Sequence, residues 1–334
     1  MPDCNASVTG TGAVRDPVLS VDVGGLSAIL RLGEADLLAR MENKLLAYGY
    51  RTIFRPGEYL IGVPKVIPPV ALVAHVDTIR RKDPRAISWS PRTGIVLNKK
   101  GVLGADDRAG VYAITRILAA GYRPLVVFCD KEESGGVGAH AVCTDKALAE
   151  FAPDLRLLVE MDRRGEKDFV FYSAILPPEI KKLVSSCGWV ESIGSYSDVA
   201  TLTEEYLIPH VNVSAGYYNE HTPKEALIVG ELEANIGRLA ELLAIQNEIP
   251  KIVLEDDEAS RWGSLLTYYR DDSNAWSFLD KRGRGCDVLD FPRISTDENC
   301  EMCDMPISRH DETVNDQEDD GLILCYSCRI KFLM

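Results

Sequence analysis

His75 and Asp77 close the run ALVAHVDT (71–78), an apolar stretch that stops abruptly in a histidine and a carboxylate one residue apart. On a β-strand, residues i and i+2 share a face, so the imidazole can bind a metal while the carboxylate steadies it from behind. Taken alone, the pair is ordinary strand-end polarity. Four more polar clusters follow in order. GVLGADDRAG (101–110) sets Asp106 and Asp107 between a strand-like approach and a helix start, and VVFCDKEESGG (126–136) ends a strand in Asp130, Glu132 and Glu133. LLVEMDRRG (157–165) ends another strand in Asp162, and GYYNEHTPKE (216–225) carries His221. Each has a plain structural reading: an aspartate as helix N-cap, a glutamate pair in a solvated turn, a polar loop histidine. Five in succession, each ending a hydrophobic strand or opening a helix, point to chemistry instead. Two histidines with three carboxylates can hold two divalent ions, one carboxylate bridging, with positions left for water and substrate. That donor set suits zinc, with cobalt or manganese as substitutes.

The elements that must position these residues alternate between strands and helices. Helical spacing of apolar residues predicts helices over 34–48, 107–120, 137–150 and 177–186, and a long one over 223–246 with Pro223 in its first turn. Strand-like runs stand near 51–54, 59–63, 69–76, 124–129, 156–161, 168–173 and 188–193. Near-continuous apolar strands alternating with helices imply an α/β fold, a three-layer sandwich around a mixed, mostly parallel sheet. In such folds the sites gather at the carboxyl ends of the strands.

The chain has 334 residues, enough for one large domain plus an appendage. With 51 acidic against 37 basic side chains the formal net charge is -14, which disfavours a nucleic-acid partner. No apolar stretch is long enough to span a bilayer, so no membrane role is expected. The start, MPDCNASVTGTGAVRDP, has no basic region followed by an apolar core, and a cytoplasmic protein is expected. Nine cysteines in that setting suggest thiols or metal ligands rather than disulfides. Cys129, Cys143 and Cys187 read as small apolar residues of buried elements.

The ordered set His-x-Asp, Gly-Ala-Asp-Asp-Arg-Ala-Gly, Glu-Glu, Asp and a late His resembles the co-catalytic dinuclear zinc exopeptidases, which include peptidase T, acetylornithine deacetylase and the bacterial leucyl aminopeptidases. The resemblance covers roughly residues 20–246. It implies that His75, Asp106 and Asp162 hold one metal, and Asp106, Glu133 and His221 the other. It also implies that Asp77 orients His75, that Glu132 is the general base, and that a cis peptide bond joins Asp106 to Asp107. Relatives use a tyrosine to stabilise the oxyanion, and Tyr217 and Tyr218 stand just before His221. Asp198, in SYSDVATL (195–202), resembles a residue behind the ligands or a helix cap. His140, His210 and His310 lack motif context and read as structural histidines.

Many relatives insert a lid domain, but only 163–220 separate Asp162 from His221 here, and only 76–105 lie between His75 and Asp106. The expected organisation is an irregular segment (1–19), a hydrolase domain without a lid (20–250), a connector (251–295) and a small module (296–334). In that module Cys300-x-x-Cys303 and Cys325-x-x-Cys328 form two knuckles that can bind one structural zinc, as zinc ribbons do, and can dock a protein partner. The resulting expectation is a zinc aminopeptidase acting on short peptides. Two alternatives stand beside it: an amidase or deacylase of small N-acylated amino compounds, and a non-catalytic binding protein that recruits a partner through the zinc module.

Overall fold

The computed structural model describes residues 19–79, 84–172, 176–194, 196–254, 267–270 and 276–279. They belong to two units, one reaching Gly263 and one starting at Ser264. In the second, Thr267–Arg270 pairs antiparallel with Trp276–Leu279. Cys300, Cys303, Cys325 and Cys328, the 296–334 module and the 1–19 segment, apart from Leu19, lie outside the described residues.

The first unit is built around β3 (Val70–His75). Leu72 and Ala74 enter one apolar core and Ala71 and Val73 the other, so the strand is covered on both faces. That double burial is why its sequence is continuously apolar instead of alternating. Parallel neighbours flank it, β6 (Leu125–Cys129) on one side and β7 (Leu157–Arg163) on the other. Beyond β6 the sheet continues through β2 (Tyr59–Val63) to β1 (Arg51–Arg55). Beyond β7 it runs through β10 (His210–Ser214) and β8 (Asp168–Val170) to β9 (Val190–Glu191). The β3·β6, β3·β7, β7·β10 and β8·β9 pairs are parallel and the remaining pairs antiparallel, giving the expected mixed, mostly parallel sheet.

Helices α1 (Val23–Arg31), α2 (Glu34–Ala47), α3 (Ala105–Ala119), α5 (Pro178–Ser186) and α7 (Val229–Ala244) supply the core on one face. Helices α4 (Val137–Thr144) and α6 (Asp198–Tyr206) supply the other. The chain leaves β3, passes through α3 to β6, then returns through α4 to β7 on the opposite side of β3. Two connections that diverge from one strand leave a crevice at its carboxyl end, where ligands bind in sheets of this kind. His75 is the last residue of that strand.

A small second sheet, ordered β11-β12-β5-β4, stands beside the first: β4 (Ile87–Ser90), β5 (Ile95–Asn98), β11 (Tyr217–Tyr218) and β12 (Ala226–Ile228). It corrects the expected long helix, which starts at Val229 and not near Pro223. Residues 226–228 spend their backbone groups on β5 and β11, so helix cannot begin before them. Helix α4 is also shorter than expected. The chain leaves it at Lys146, whose φ of 54° is the left-handed conformation that ends helices. Strand β10 and helices α1 and α6 were not foreseen. In α1 two glycines mask the helical pattern, and Asp22 caps it by accepting the N–H groups of Gly24 and Gly25 at 3.0 Å.

His210, at the start of β10, is wholly enclosed and fully hydrogen-bonded. The Tyr172 N–H donates to its Nε2 at 3.1 Å, and Thr203 Oγ1, which gives its own proton to the Ile208 carbonyl, lies 2.8 Å from Nδ1. The network therefore fixes a neutral ring protonated at Nδ1, stacked on Phe171. Burial pushes its pKa down to about 3. The unfolded ring, near 6.5, takes up a proton first, so this contribution to stability is complete above that pH and is lost as pH falls from 6.5 toward 3. Urea unfolding of the wild type and His210→Gln between pH 7 and 4.5 should show their stability difference shifting against the wild type by about 1.4 kcal/mol per pH unit well below 6.5.

Candidate metal centre

Three strand ends, one helix start and one hairpin loop meet at the crevice. His75 ends β3, the Glu132–Ser134 turn follows β6, Asp162 lies in the last turns of β7, and β11 and β12 hold between them the loop bearing His221. Asp106 and Asp107 precede the regular part of α3 in non-helical conformations, joined by a cis peptide bond as the resemblance implies. The tandem aspartates have different tasks. Asp107 is fully buried and its Oδ1 accepts the Gly110 N–H at 3.0 Å, capping the helix. A side chain at Gly110 would bring its Cβ to 2.5 Å from that carboxylate and so push the capping group from its place.

Asp106 faces the two histidines. Its Oδ1 is 3.0 Å from His75 Nε2 and its Oδ2 is 3.2 Å from His221 Nε2. His75 Nε2 is also 3.6 Å from Asp162 Oδ1, and His221 Nε2 is 2.9 Å from Glu133 Oε1. Ligand atoms about 2.0–2.1 Å from a tetrahedral zinc stand about 3.3 Å from one another. In each group the histidine nitrogen stands at about that distance from its two carboxylates, with Asp106 common to both. His75, Asp106 and Glu133 also bring their ligand atoms within 4.8 Å of one another. The charges agree: Asp106 and Glu133 push His221 up to about 11, and Asp162 and Asp106 raise His75 against the effect of complete burial. Glu133 Oε1 is buried and faces the His221 ring nitrogen. Carboxylates gathered this closely favour a cation, and the cluster could hold a divalent metal ion.

Asp77 lies behind these groups. Its Oδ1 is 3.3 Å from His75 Nδ1, and its two oxygens accept the backbone N–H groups of Glu132 and Glu133 at 3.0 and 3.2 Å. One carboxylate thus sets the imidazole and the turn that carries both glutamates. Glu132 Oε2 is 3.9 Å from His75 Nε2. Burial, opposed by His75 and reinforced by Glu133, pushes its carboxyl up to about 7. The tyrosines part company: Tyr217 donates to Asp162 Oδ1 at 3.0 Å, whereas the Tyr218 hydroxyl donates to Glu231 at 2.7 Å. His221 is the open side of the cluster, its side chain 44% exposed against 0% for His75.

Sequence reasoning missed three supports. Asn212 on β10 replaces ladder bonds at an irregularity in register. Its Oδ1 accepts the Asp162 N–H at 2.9 Å and its Nδ2 donates to the Asp162 carbonyl at 3.0 Å. Glu160 is fully buried and takes hydrogen bonds from Ser197 and from the Val199 N–H, tying β7 to α6 beside the buried Asp198. Glu225 accepts the N–H groups of Gly104 and Ala105 at 2.7 Å and of Asp106 at 3.2 Å. None of the three has a local pattern. Only the strand order and the hairpin bring them to their partners.

The sequence matches no protein-family model and no curated protein. Solved structures share the fold. The aminopeptidase PepT from Bacillus cereus is similar with a TM-score of 0.53 at 15% identity, over 68% of this chain and 97% of its own. A tripeptidase from Staphylococcus aureus is similar with a TM-score of 0.53 at 12% identity, over 67% of this chain and 97% of its own. The first unit therefore has the fold of these peptidases. Among the described residues no helix is long and apolar enough to cross a membrane.

Because Asp77 holds both His75 and the Glu132–Glu133 turn, Asp77→Ala should weaken divalent metal binding about 10- to 100-fold. Titration against a competing chelator checks this. Unchanged affinity would mean that His75 is oriented by its packing alone.

Proposed function

We propose that this chain is a metal-dependent hydrolase of peptide bonds, an aminopeptidase acting on short peptides. The observation that carries the reading is the division of Asp106, one oxygen toward His75 and the other toward His221, which is how a carboxylate bridges two ions. We assign Asp162 to the first ion with His75, and Glu133 to the second with His221. Zinc suits these donors, with cobalt or manganese as substitutes. Such ions would supply an acidified water and a polarised carbonyl.

The chain's own residues supply the rest. Glu132 takes the proton of the attacking water and returns it to the departing amine. A carboxyl pushed up to about 7 can do both near neutral pH. Asp77 holds Glu132 through its backbone and His75 through its ring. Of the two tyrosines we assign oxyanion stabilisation to Tyr217, because its hydroxyl lies at the cluster on Asp162 while that of Tyr218 lies on Glu231; to serve, Tyr217 would turn its proton from Asp162 to the oxyanion. The exposed edge of His221 is where the substrate arrives. The segment from Asp162 to His221 is taken up by β8, α5, β9, α6, β10 and β11, with no lid domain in the described residues. That openness, and the aminopeptidase and tripeptidase of like fold, favour an aminopeptidase over an enzyme that grips a carboxyl terminus.

For the unit beyond the hydrolase domain we propose one structural zinc on Cys300, Cys303, Cys325 and Cys328, with protein docking as its use. Cys129, Cys143 and Cys187 are free thiols, in keeping with the cytoplasm as the proposed setting. Elemental analysis should find two ions at the hydrolase site and one on the cysteines. Without the first two, the non-catalytic binding reading would stand.

Aminoacyl-anilides should be hydrolysed and N-acyl amino acids spared; turnover of the acylated set alone would overturn the peptidase reading in favour of a deacylase. Glu132→Gln should lower kcat by about 100- to 10,000-fold while both metals stay bound. Substantial residual turnover would refute its assignment as the base.

A further inference from the structure

Glu225 is the most fully enclosed acid of the His221 hairpin, 1% exposed, and lies four residues beyond that histidine. Its carboxylate is hydrogen-bonded to backbone N–H groups. Its Oε2 accepts the Gly104 N–H and its Oε1 accepts those of Ala105 and Asp106, three consecutive backbone donors from a segment about 120 positions earlier in the chain. Gly104 adopts φ 73° and has no side-chain cap of its own, so Glu225 serves as the cap of the Asp106 turn from across the molecule. Burial pushes its carboxyl up, and the three donors pull the other way.

The other end of the same short loop is equally determined. Thr222 Oγ1 donates to the Asn219 carbonyl and accepts the Lys224 N–H, while the Glu225 N–H donates to the Thr222 carbonyl. His221 sits within that turn at φ 65°. Directly after Glu225, β12 pairs with β5. A single rigid loop therefore presents His221 to one oxygen of Asp106 and, through Glu225, grips the backbone of the same aspartate.

We propose that Glu225 is a positioning residue that couples the two ligand-bearing segments, setting the distance between Asp106 and His221 and with it the affinity of the site they share with Glu133. This rests on the dinuclear reading above. Loss of the grip leaves three buried donors facing nothing and frees the loop to move away from Asp106. The ion held by His221 should feel this far more than the ion held by His75 and Asp162, because those two ligands are braced separately by Asp77 and Asn212.

The test uses the full chain, zinc and a competing chelator to obtain both stepwise affinities. In the wild type two hydrolase-site ions should bind; in Glu225→Gln the weaker should lose about 10- to 100-fold in affinity and the tighter should change little. The rise in Tm produced by zinc should shrink in parallel, whereas a residue that merely stabilised the fold would lower Tm equally with and without metal. In a His221→Ala background the further change Glu225→Gln should have no effect on metal affinity. Equal affinities in wild type and Glu225→Gln, or an undiminished effect in the His221→Ala background, overturns the coupling. A wild type that binds no hydrolase-site metal overturns the dinuclear reading itself, a separate result. Should the variant not fold, hydrogen exchange on the wild type decides. Removing zinc should deprotect segments 104–106 and 219–225 together, and a response confined to one of them refutes the proposal.

Discussion

Asp106 places one carboxylate between two imidazoles, and the surrounding structure is arranged to hold it there. A carboxylate shared in this way can face His75 and His221 at once only if a strand end, a helix start and a hairpin loop are fixed to within tenths of an ångström. The protein does this by fixing the backbone of the ligand-bearing segments, with side chains that do not themselves face the histidines and with strand pairing. Asp107 caps α3, Glu225 takes the three N–H groups leading into Asp106, and β12 locks the hairpin to the second sheet. Each device satisfies polar groups that burial would otherwise leave unpaired, so positioning the site and stabilising the fold are the same act.

Charge explains why so much bracing is needed. Asp77, Asp106, Glu132, Glu133, Asp162, Glu160 and Asp198 crowd into a small volume with only two histidines among them. Left alone, they repel: Asp107, Asp162 and Asp198 are all driven well above the ordinary carboxylate range, burial being the main cause. A site of that kind is poised for cations, and it remains ordered because its members are pinned from behind by N–H donors and by Asn212 and Tyr217. The asymmetry between an enclosed His75 and an exposed His221 then gives the centre a floor and a mouth.

Much of this was legible in the chain. The five polar clusters, their order and the spacing His75-x-Asp77 identified the ligand candidates, because metal chemistry demands particular side chains and strand ends announce themselves by an abrupt change from apolar to polar. The long apolar strands identified the sheet, because burial on both faces leaves no alternation. Other features were hidden. Short elements such as β10 and α1 carry too few residues, or too many glycines, for a period to show. The start of α7 was misplaced because residues 226–228 are claimed by strands distant in sequence, and local propensity has no knowledge of such partners.

Residue chemistry and order along the chain thus determined by themselves which groups are the candidates for the site and which class of fold carries them. Tertiary structure alone decided which of two adjacent tyrosines reaches Asp162, and that Glu225 grips the Asp106 turn. The physical reason is common to both. Neighbouring residues of like type are chemically equivalent in the chain, and only the directions imposed by hydrogen-bonded backbone far away in sequence make them different.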